Sequence, residues 1–354
     1  MLRNTFWHIF GAKLLFFLDI CKFLCNFVPK KNCCMTNKEL YAAWCPTQER
    51  MPIFMQPWWL DAVCAGKEWD VILMREGDKI LAAMPYLIRK KLWMRYIIMP
   101  QQTQRMGIWI AQDIWEKGAD DEARICMYMT QKLKEMKLHY YYQQYALNNP
   151  CVERMRMLGF SVQEHTTYRI EDLSDLDKVI ASFSKNKRRQ LQKALSLHAE
   201  WDMSAEEFFR FHTNCMLERH RRLSYSREFL LVLERKTRRL NQSTFLAIKN
   251  ADGEVYAAAF LVWDHRQLYY LIPCYSEMHK ESGASALLVL EAIKKTRDLG
   301  LMFDFEGGTR RGLARNYRQF GSTAAKYYSV SKVYKWWFHL ALAYNWLRNF
   351  RYRI

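Results

Sequence analysis

Two acidic residues near the end of the 354-residue chain are placed where they could move a proton. Asp304 and Glu306 lie two positions apart in the segment Phe303-Asp304-Phe305-Glu306-Gly307-Gly308. Alternate side chains of a strand share a face, so the two carboxylates would lie together and the two phenylalanines opposite them. Like charges this close raise the pKa of one carboxyl group toward the range of a general base. Glu306 is the predicted base, and Asp304 is predicted to orient it or to form an ion pair.

The residues after the acids favour contact with a substrate. Gly307 and Gly308 would let the chain leave the strand and bring a substrate close to the backbone. Arg315 follows as a substrate-binding candidate. A purely structural interpretation stays open, because Arg310, Arg311 and Arg315 could instead hold the two acids in salt bridges.

A second candidate site is the start of a helix within Lys280-Glu281-Ser282-Gly283-Ala284-Ser285. The first N–H groups of a helix are unpaired, and the helix dipole favours negative charge there. Small side chains would let a phosphate approach these groups. The predicted cofactor-binding residues are Lys280, Ser282, Gly283, Ala284 and Ser285, with Ser282 as N-cap. An ordinary capped helix is the alternative.

A third candidate is the basic segment Lys185-Asn186-Lys187-Arg188-Arg189, which precedes or opens a helix. Lys185, Arg188 and Arg189 are predicted to clamp phosphates of a donor or of a phospholipid-linked acceptor. A solvated basic face is the alternative.

Two stretches of the chain carry the same predicted order of elements, β-turn-β-β-α-β-α-β. The first has strands near 70–75, 79–88, 92–99, 140–145 and 160–170, with helices near 120–137 and 150–158. The second has strands near 245–249, 255–263, 268–274, 301–305 and 324–330, with helices near 283–299 and 313–319. The apolar residues Ile125, Met129 and Leu133 recur every four positions, which is typical of a helix with one buried face. The pattern predicts an α/β (α+β) fold of two similar units, each a mixed sheet flanked by helices.

This order of elements resembles the GNAT acyltransferase fold, and its doubling resembles the FemABX-like transferases and their acetyltransferase relatives. Three segments carry the resemblance: Thr167-Tyr168-Arg169-Ile170 with Arg188-Arg189 and Lys193-Ala194, then Ser282-Gly283-Ala284-Ser285, then Phe303 to Gly308 with Arg315, Phe320-Gly321 and Tyr327. Gly308 departs from the family pattern, which often has Ser there, and Lys280 to Ser285 matches the acetyl-CoA motif only in part.

The resemblance implies an N-acyltransferase that moves an acetyl or aminoacyl group to an amine, in cell-envelope or lipid-linked precursor metabolism. The implied cosubstrate is acyl-CoA (acetyl-CoA), favoured over aminoacyl-tRNA, with no metal. The acceptor would be a small-molecule or lipid-linked amine. The alternative is a non-catalytic basic protein that keeps the fold and associates with membrane or nucleic acid.

Composition bounds the class of protein. Half of the residues are hydrophobic and 15% are aromatic, so the chain is a folded globular protein rather than a disordered one. The net charge of +18 favours anionic partners: a phosphate-bearing cosubstrate, tRNA or an anionic membrane surface. The ten cysteines show no disulfide framework and indicate reduced thiols. The expected location is the cytoplasm, with the inner face of the membrane as a further expectation.

The sequence predicts that the chain is divided into four segments. Residues 1–34 form an apolar and basic leader, interpreted as a membrane-surface helix, as a helix docked on the body of the protein, or as the result of a start codon assigned too early. Residues 35–172 form the first unit, and residues 173–332 form the second, which holds the predicted active site. Residues 333–354 form a C-terminal helix rich in aromatic and basic residues, suited to anionic lipid or to docking on the body of the protein.

Overall fold

The structure is a computed structural model that describes residues 35–64, 69–115, 119–308 and 311–350. The predicted leader at 1–34 lies outside the described residues.

The first half of the chain has the predicted order of elements. Its helices are α1 (Asn37–Trp44), α2 (Pro57–Cys64), α3 (Gln112–Trp115), α4 (Ala119–Glu135) and α5 (Cys151–Met157). Its strands are β1 (Trp69–Glu76), β2 (Lys79–Lys91), β3 (Met94–Ile97), β4 (Trp109–Ile110), β5 (Tyr140–Tyr145) and β6 (Ser161–Ile170). The predicted apolar stripe of α4 is confirmed, since Ile125, Met129 and Leu133 are fully buried.

The second half repeats that order after a helical insert. Its helices are α6 (Leu176–Ser182), α7 (Lys185–Lys193), α8 (Ala205–Glu218), α9 (Arg227–Arg239), α10 (Ala284–Asp298), α11 (Arg311–Arg318) and α12 (Phe338–Phe350). Its strands are β7 (His198–Trp201), β8 (Ser243–Lys249), β9 (Val255–Trp263), β10 (Gln267–Tyr275), β11 (Met302–Asp304) and β12 (Thr323–Val333). The repeated order of elements and the mixed α/β class are confirmed.

Two short strands are missing from the sequence prediction. Strand β7 lies between the two stretches of repeated elements, where no strand was predicted, and it pairs antiparallel with β8 at the edge of the sheet. Strand β4 adds two residues to β2. Neither strand is long enough to show the alternation of apolar and polar residues from which strands are recognised.

The described strands form one sheet in the order β1-β2-β3-β5-β12-β6-β11-β10-β9-β8-β7, with β4 beside β2. The last strand of each half lies among strands of the other half. Strand β6 pairs with β11, and β12 pairs with β5. The long antiparallel pairing of β6 with β12, from Thr323 opposite Arg169 to Ser331 opposite Ser161, joins the two halves. Each half therefore needs the other to complete its sheet.

The hydrophobic core also crosses between the halves. One cluster joins Trp59 and Leu60 of α2 to Phe208 of α8 and Tyr269 of β10. A second cluster packs α10 against the opposite face of the sheet, and a third lies under α4 and α5. The interface between the halves is thus part of the core, which holds the loops at that interface in fixed positions.

The C-terminal segment differs from the prediction at its start. Strand β12 continues to Val333, and the helix begins at Phe338 rather than at residue 333. Phe338 is 5% exposed and stacks on Tyr140 with ring centroids 5.4 Å apart. Among the described residues, no helix combines the length and apolar character needed to cross a bilayer.

Candidate active site

The two predicted acids lie on one face of the sheet, at the end of β11. Both side chains are almost fully buried, Asp304 at 0% and Glu306 at 2% exposure. Phe303 and Phe305 lie together in the core cluster on the opposite face. The alternation predicted from the sequence is thus present, although the regular strand ends at Asp304 and Glu306 follows it.

Two arginines from distant parts of the chain pair with the acids. Arg105 is 2% exposed, and its Nη1 donates to Oε1 of Glu306 at 3.3 Å. Its Nη2 lies 3.6 Å from Oδ2 of Asp304. Arg169 donates from Nε to the same Oδ2 at 2.9 Å. The salt bridges predicted as the structural alternative therefore exist, but in the described part of the chain the partners are Arg105 and Arg169 rather than Arg311 or Arg315.

The remaining oxygen of Asp304 is also bonded. Its Oδ1 accepts the hydroxyl of Thr167 at 2.5 Å and the backbone N–H of Glu306 at 2.9 Å. The hydroxyl oxygen of Thr167 in turn accepts the N–H of Gly307 at 3.1 Å. Asp304 thus holds the backbone that carries Glu306, which agrees with an orienting role.

Burial is the main reason that the pKa of Glu306 is raised to about 8. The positive charge of Arg105 opposes that rise, and the carboxylate of Asp304 adds to it. Repulsion between the two acids, which the sequence suggests as the cause, contributes less than the removal of the carboxyl group from water. A carboxyl group that titrates near neutral pH can both take and return a proton.

The backbone turns sharply at the acid pair. Glu306 has a φ of +50°, a conformation that is uncommon for residues other than glycine. Gly307 and Gly308 follow with φ of +130° and +135°. A Cβ at Gly308 would lie 2.5 Å from the ring of Tyr168, which explains why this chain has no Ser there.

The start of α10 has a different cap from the one predicted. The N-cap is Gly283, with φ of +83°, rather than Ser282. A Cβ at Gly283 would lie 2.0 Å from the carbonyl oxygen of Gln190, so glycine is required where α10 meets α7. The hydroxyl oxygen of Ser282 still accepts the N–H of Ala284 at 3.2 Å.

The basic helix α7 presents its charges unequally. Lys185, Arg188 and Arg189 are exposed, whereas Lys187 is 4% exposed. The Nζ of Lys187 donates to Oε1 of Gln190 at 3.0 Å, and burial lowers its pKa to about 8. Three of the four basic side chains are therefore free to meet a ligand, and the fourth packs into the fold.

Two of the six predicted substrate-binding residues, Gly308 and Arg315, meet at one groove of about 740 Å³. Gly308, Arg315 and Ser184, the N-cap of α7, line it together with Arg311 and Arg318. The predicted cofactor-binding residues lie elsewhere, near the end of α7, where Lys193 and Glu281 approach to 3.8 Å. The predicted substrate-binding residues at the groove and the predicted cofactor-binding residues at the start of α10 therefore lie in different places.

Arg105 was not predicted from the sequence. It directly precedes the apolar run Met106-Gly107-Ile108-Trp109-Ile110, and a single charge next to such a run is a signal for a buried, paired residue. Tyr327, one of the residues that carry the resemblance to the acyltransferases, lies beneath Arg105, with its ring centroid 4.4 Å from the guanidinium carbon.

In the described part of the chain, no group of three His, Cys, Asp or Glu side chains is arranged to hold a metal ion.

Known proteins resemble this chain mainly in fold. Residues 164–318 match the family model of the acetyltransferase (GNAT) domain. FemX superposes with a TM-score of 0.61 at 11% identity, over 83% of this chain and 96% of FemX. The C-terminal domain of a protein from Agrobacterium fabrum assigned as a lysylphosphatidylglycerol synthetase gives 0.53 at 12%, over 83% of this chain and 92% of that domain. No curated protein matches in sequence.

Residues 164–318 are thus similar to the GNAT acetyltransferase domain, and the fold of the chain is similar to that of FemX. The resemblance predicted from the sequence is confirmed. The acids Asp304 and Glu306 lie inside the matched residues, whereas Arg105 lies outside them.

Proposed function

We propose that the chain transfers an acetyl or aminoacyl group from an activated donor to an amine, with Glu306 as the general base. The observation that carries this proposal is the buried carboxyl group of Glu306, with a pKa raised to about 8, at the point where two parallel strands separate. Strand β11 pairs with β10 only as far as Asp304 opposite Tyr269, and β10 then continues to Tyr275. A gap between parallel strands lets a ligand approach the backbone.

The proposed reaction is the attack of an amine on the activated acyl group of the donor. The amine nitrogen attacks the acyl carbonyl carbon, and a carbon–nitrogen bond forms as the bond to the donor's sulfur or oxygen breaks. Glu306 takes the proton that the nitrogen loses and returns a proton to the leaving group, which becomes a thiol or hydroxyl. Asp304 keeps Glu306 in place through its hydrogen bond to the backbone N–H.

Acyl-CoA is the proposed donor, supported by the GNAT domain match over residues 164–318. Its phosphates would meet the start of α10, where Lys280, Ser282, Gly283, Ala284 and Ser285 lie. The start of α10 favours a negative charge through the helix dipole. Aminoacyl-tRNA is the second candidate donor, favoured by the likeness to FemX and by the +18 charge.

The groove beside α11 is the proposed place for a second phosphate-bearing group. Arg311, Arg315 and Arg318 line one wall, and the start of α7 faces it through Ser184. Lys185, Arg188 and Arg189 extend the basic surface along α7. This arrangement is the support for a lipid-linked acceptor as the alternative to a small-molecule one, and for a location at the cytoplasmic face of a membrane.

The test is a transfer assay with the purified full chain, acetyl-CoA or aminoacyl-tRNA, and a panel of amines. Glu306→Gln should lower turnover by about 100-fold or more while donor binding stays unchanged, because a positioned base contributes roughly 10²–10⁴-fold. Glu228→Gln, at an exposed acid, is the matched control. Equal turnover in the wild type and Glu306→Gln would refute the base. Wild-type protein that binds tRNA or vesicles but turns over neither donor would support the non-catalytic alternative.

A further inference from the structure

A cavity of about 440 Å³ lies on the acid face of the sheet, between the two halves of the chain. The first half contributes Arg50, Trp109 and Ile110 to its wall, and the second half contributes Arg266 and Met302. Arg105 and Arg169 form the part of the wall next to the acid pair. The cavity therefore ends one contact away from Asp304 and Glu306, and it differs from the groove beside α11.

The wall of the cavity carries an excess of positive charge. It contains four arginines, of which Arg50 and Arg266 are exposed at the rim, and one acid, Asp264. Asp264 is already bonded, because Oδ1 accepts the N–H of Arg266 and of Gln267 at 2.9 and 3.1 Å, and Oδ2 accepts the hydroxyl of Tyr269 at 2.6 Å. Even with Asp304 and Glu306 ionised, four arginines against three carboxylates leave one net positive charge.

Arg105 has donors that the protein leaves unused. Its Nε and Nη2 are buried and donate no hydrogen bond to any described residue, although Nη2 lies within ion-pair distance of both acids. Buried polar groups without a hydrogen-bond partner are rare, because leaving one unsatisfied is costly. Guanidinium donors suit the paired oxygens of a carboxylate or phosphate.

The size and the remaining wall restrict the ligand. A cavity of this volume takes a small molecule rather than a polymer. Trp109, Ile110 and Met302 offer an apolar surface beside the charged one.

We propose that this cavity binds the carboxylate or phosphate group of a small amine, the acyl acceptor, through Arg105 and Arg169 inside and Arg50 and Arg266 at the rim. Anion binding follows from the cavity itself. The identification of the bound molecule as the acyl acceptor rests on the proposed function. An anion held here would place the rest of the molecule next to the acid pair.

The test is isothermal titration calorimetry on the purified full chain with inorganic phosphate, acetate, phosphoethanolamine and ethanolamine. Phosphate or acetate should bind, the tighter of the two identifying the anionic group. Phosphoethanolamine should bind if that group is phosphate, and ethanolamine, which lacks an anion, should not bind. Arg266→Gln and Arg50→Gln should each weaken anion binding by about tenfold, the loss of one charge-assisted contact. Arg235→Gln, an exposed arginine on α9, removes the same charge and should change nothing.

The inference is overturned if no anion binds, or if all three arginine variants bind phosphate and acetate as the wild type does. Glu306→Gln separates it from the proposed function. Lost turnover in Glu306→Gln, with anion binding unaffected by both Arg266→Gln and Arg50→Gln, would keep the base and refute the cavity. Unchanged turnover in Glu306→Gln, with anion binding lost in Arg266→Gln, would keep the anion site and refute the base.

Discussion

The guanidinium of Arg105 lies 3.3 Å from the carboxylate of Glu306, although 201 positions separate the two residues. One residue comes from the loop between β3 and β4, and the other follows β11. Both side chains are 2% exposed. This contact links the stretch that matches the GNAT domain model to the first half of the chain, so the first half takes part in the candidate site.

The Arg105–Glu306 pair should contribute to stability through compensation of buried charge. Above pH 8, where Glu306 is ionised, Arg105→Met should lower the free energy of unfolding by about 3–5 kcal/mol, because it leaves this buried carboxylate without its closest counter-charge. Adding Glu306→Gln should restore part of that loss. Urea denaturation of the wild type, both single variants and the double variant measures the coupling. Strictly additive losses would show that the two side chains do not compensate each other.

The pH dependence of stability should carry the signature of Glu306. Its pKa is about 8 in the folded chain against an ordinary value of 4.5. The folded state therefore holds a proton over this interval that the unfolded state has released, and stability falls as pH rises from about 4.5 to 8. Relative to Glu306→Gln, the wild type should lose stability across that window. Other groups, such as His212, remain in both proteins and cancel. Parallel stability curves for the two proteins would contradict the raised pKa.

The same titration should appear in the rate of transfer. A general base must be deprotonated, so kcat/KM should rise with pH below about 8 and level off above it. Initial rates between pH 6 and 9 at subsaturating acceptor measure the profile. A rate that is flat over this range would rule out Glu306 as the group that accepts the proton.

Gly283 should be far less tolerant of substitution than Gly253. Both have positive φ, +83° and +81°, but a Cβ at Gly283 meets the carbonyl of Gln190, whereas a Cβ at Gly253 meets nothing within 4 Å. Gly253→Ala should therefore cost about 1 kcal/mol, for the backbone alone. Gly283→Ala should cost clearly more, since α7 or α10 must move. Thermal unfolding of the two variants checks this, and equal losses would mean that the two helices separate freely.

The C-terminal helix and the residues just before it should bind anionic lipid through their exposed apolar side chains. Phe338 is buried, whereas Trp336, Leu340 and Tyr344 are 79%, 67% and 67% exposed. Aromatic and apolar side chains beside basic ones favour an anionic interface. The wild type should pellet with phosphatidylglycerol vesicles, and replacing these three residues with Ser should reduce pelleting several-fold.

The control for lipid binding places Ser at three other exposed apolar residues, Leu195, Leu217 and Met278. That variant should pellet as the wild type does. Equal pelleting of all three proteins would show that the C-terminal helix is not the lipid contact.

Local patterns in the sequence predicted most elements because those patterns are local in origin. Apolar spacing identified α4, and the boundaries predicted for β5 and β9 match the structure. The N-cap of α10 was predicted wrongly, as Ser282, because the need for Gly283 comes from the approach of α7, a contact between distant segments. The burial of Lys187 has the same origin, since its neighbours Phe320 and Gln190 are known only once the fold is formed.

The sequence by itself determined the doubled order of elements, the pair of acids on one face and the basic character of the protein. These follow from residue type and from the periods of strand and helix, which need no knowledge of distant contacts. Only the tertiary structure decided that the last strands exchange between halves, and that Arg105 and Arg169 meet the acids. Desolvation of Glu306 depends on every segment packed around it, so its raised pKa is a property of the assembled fold.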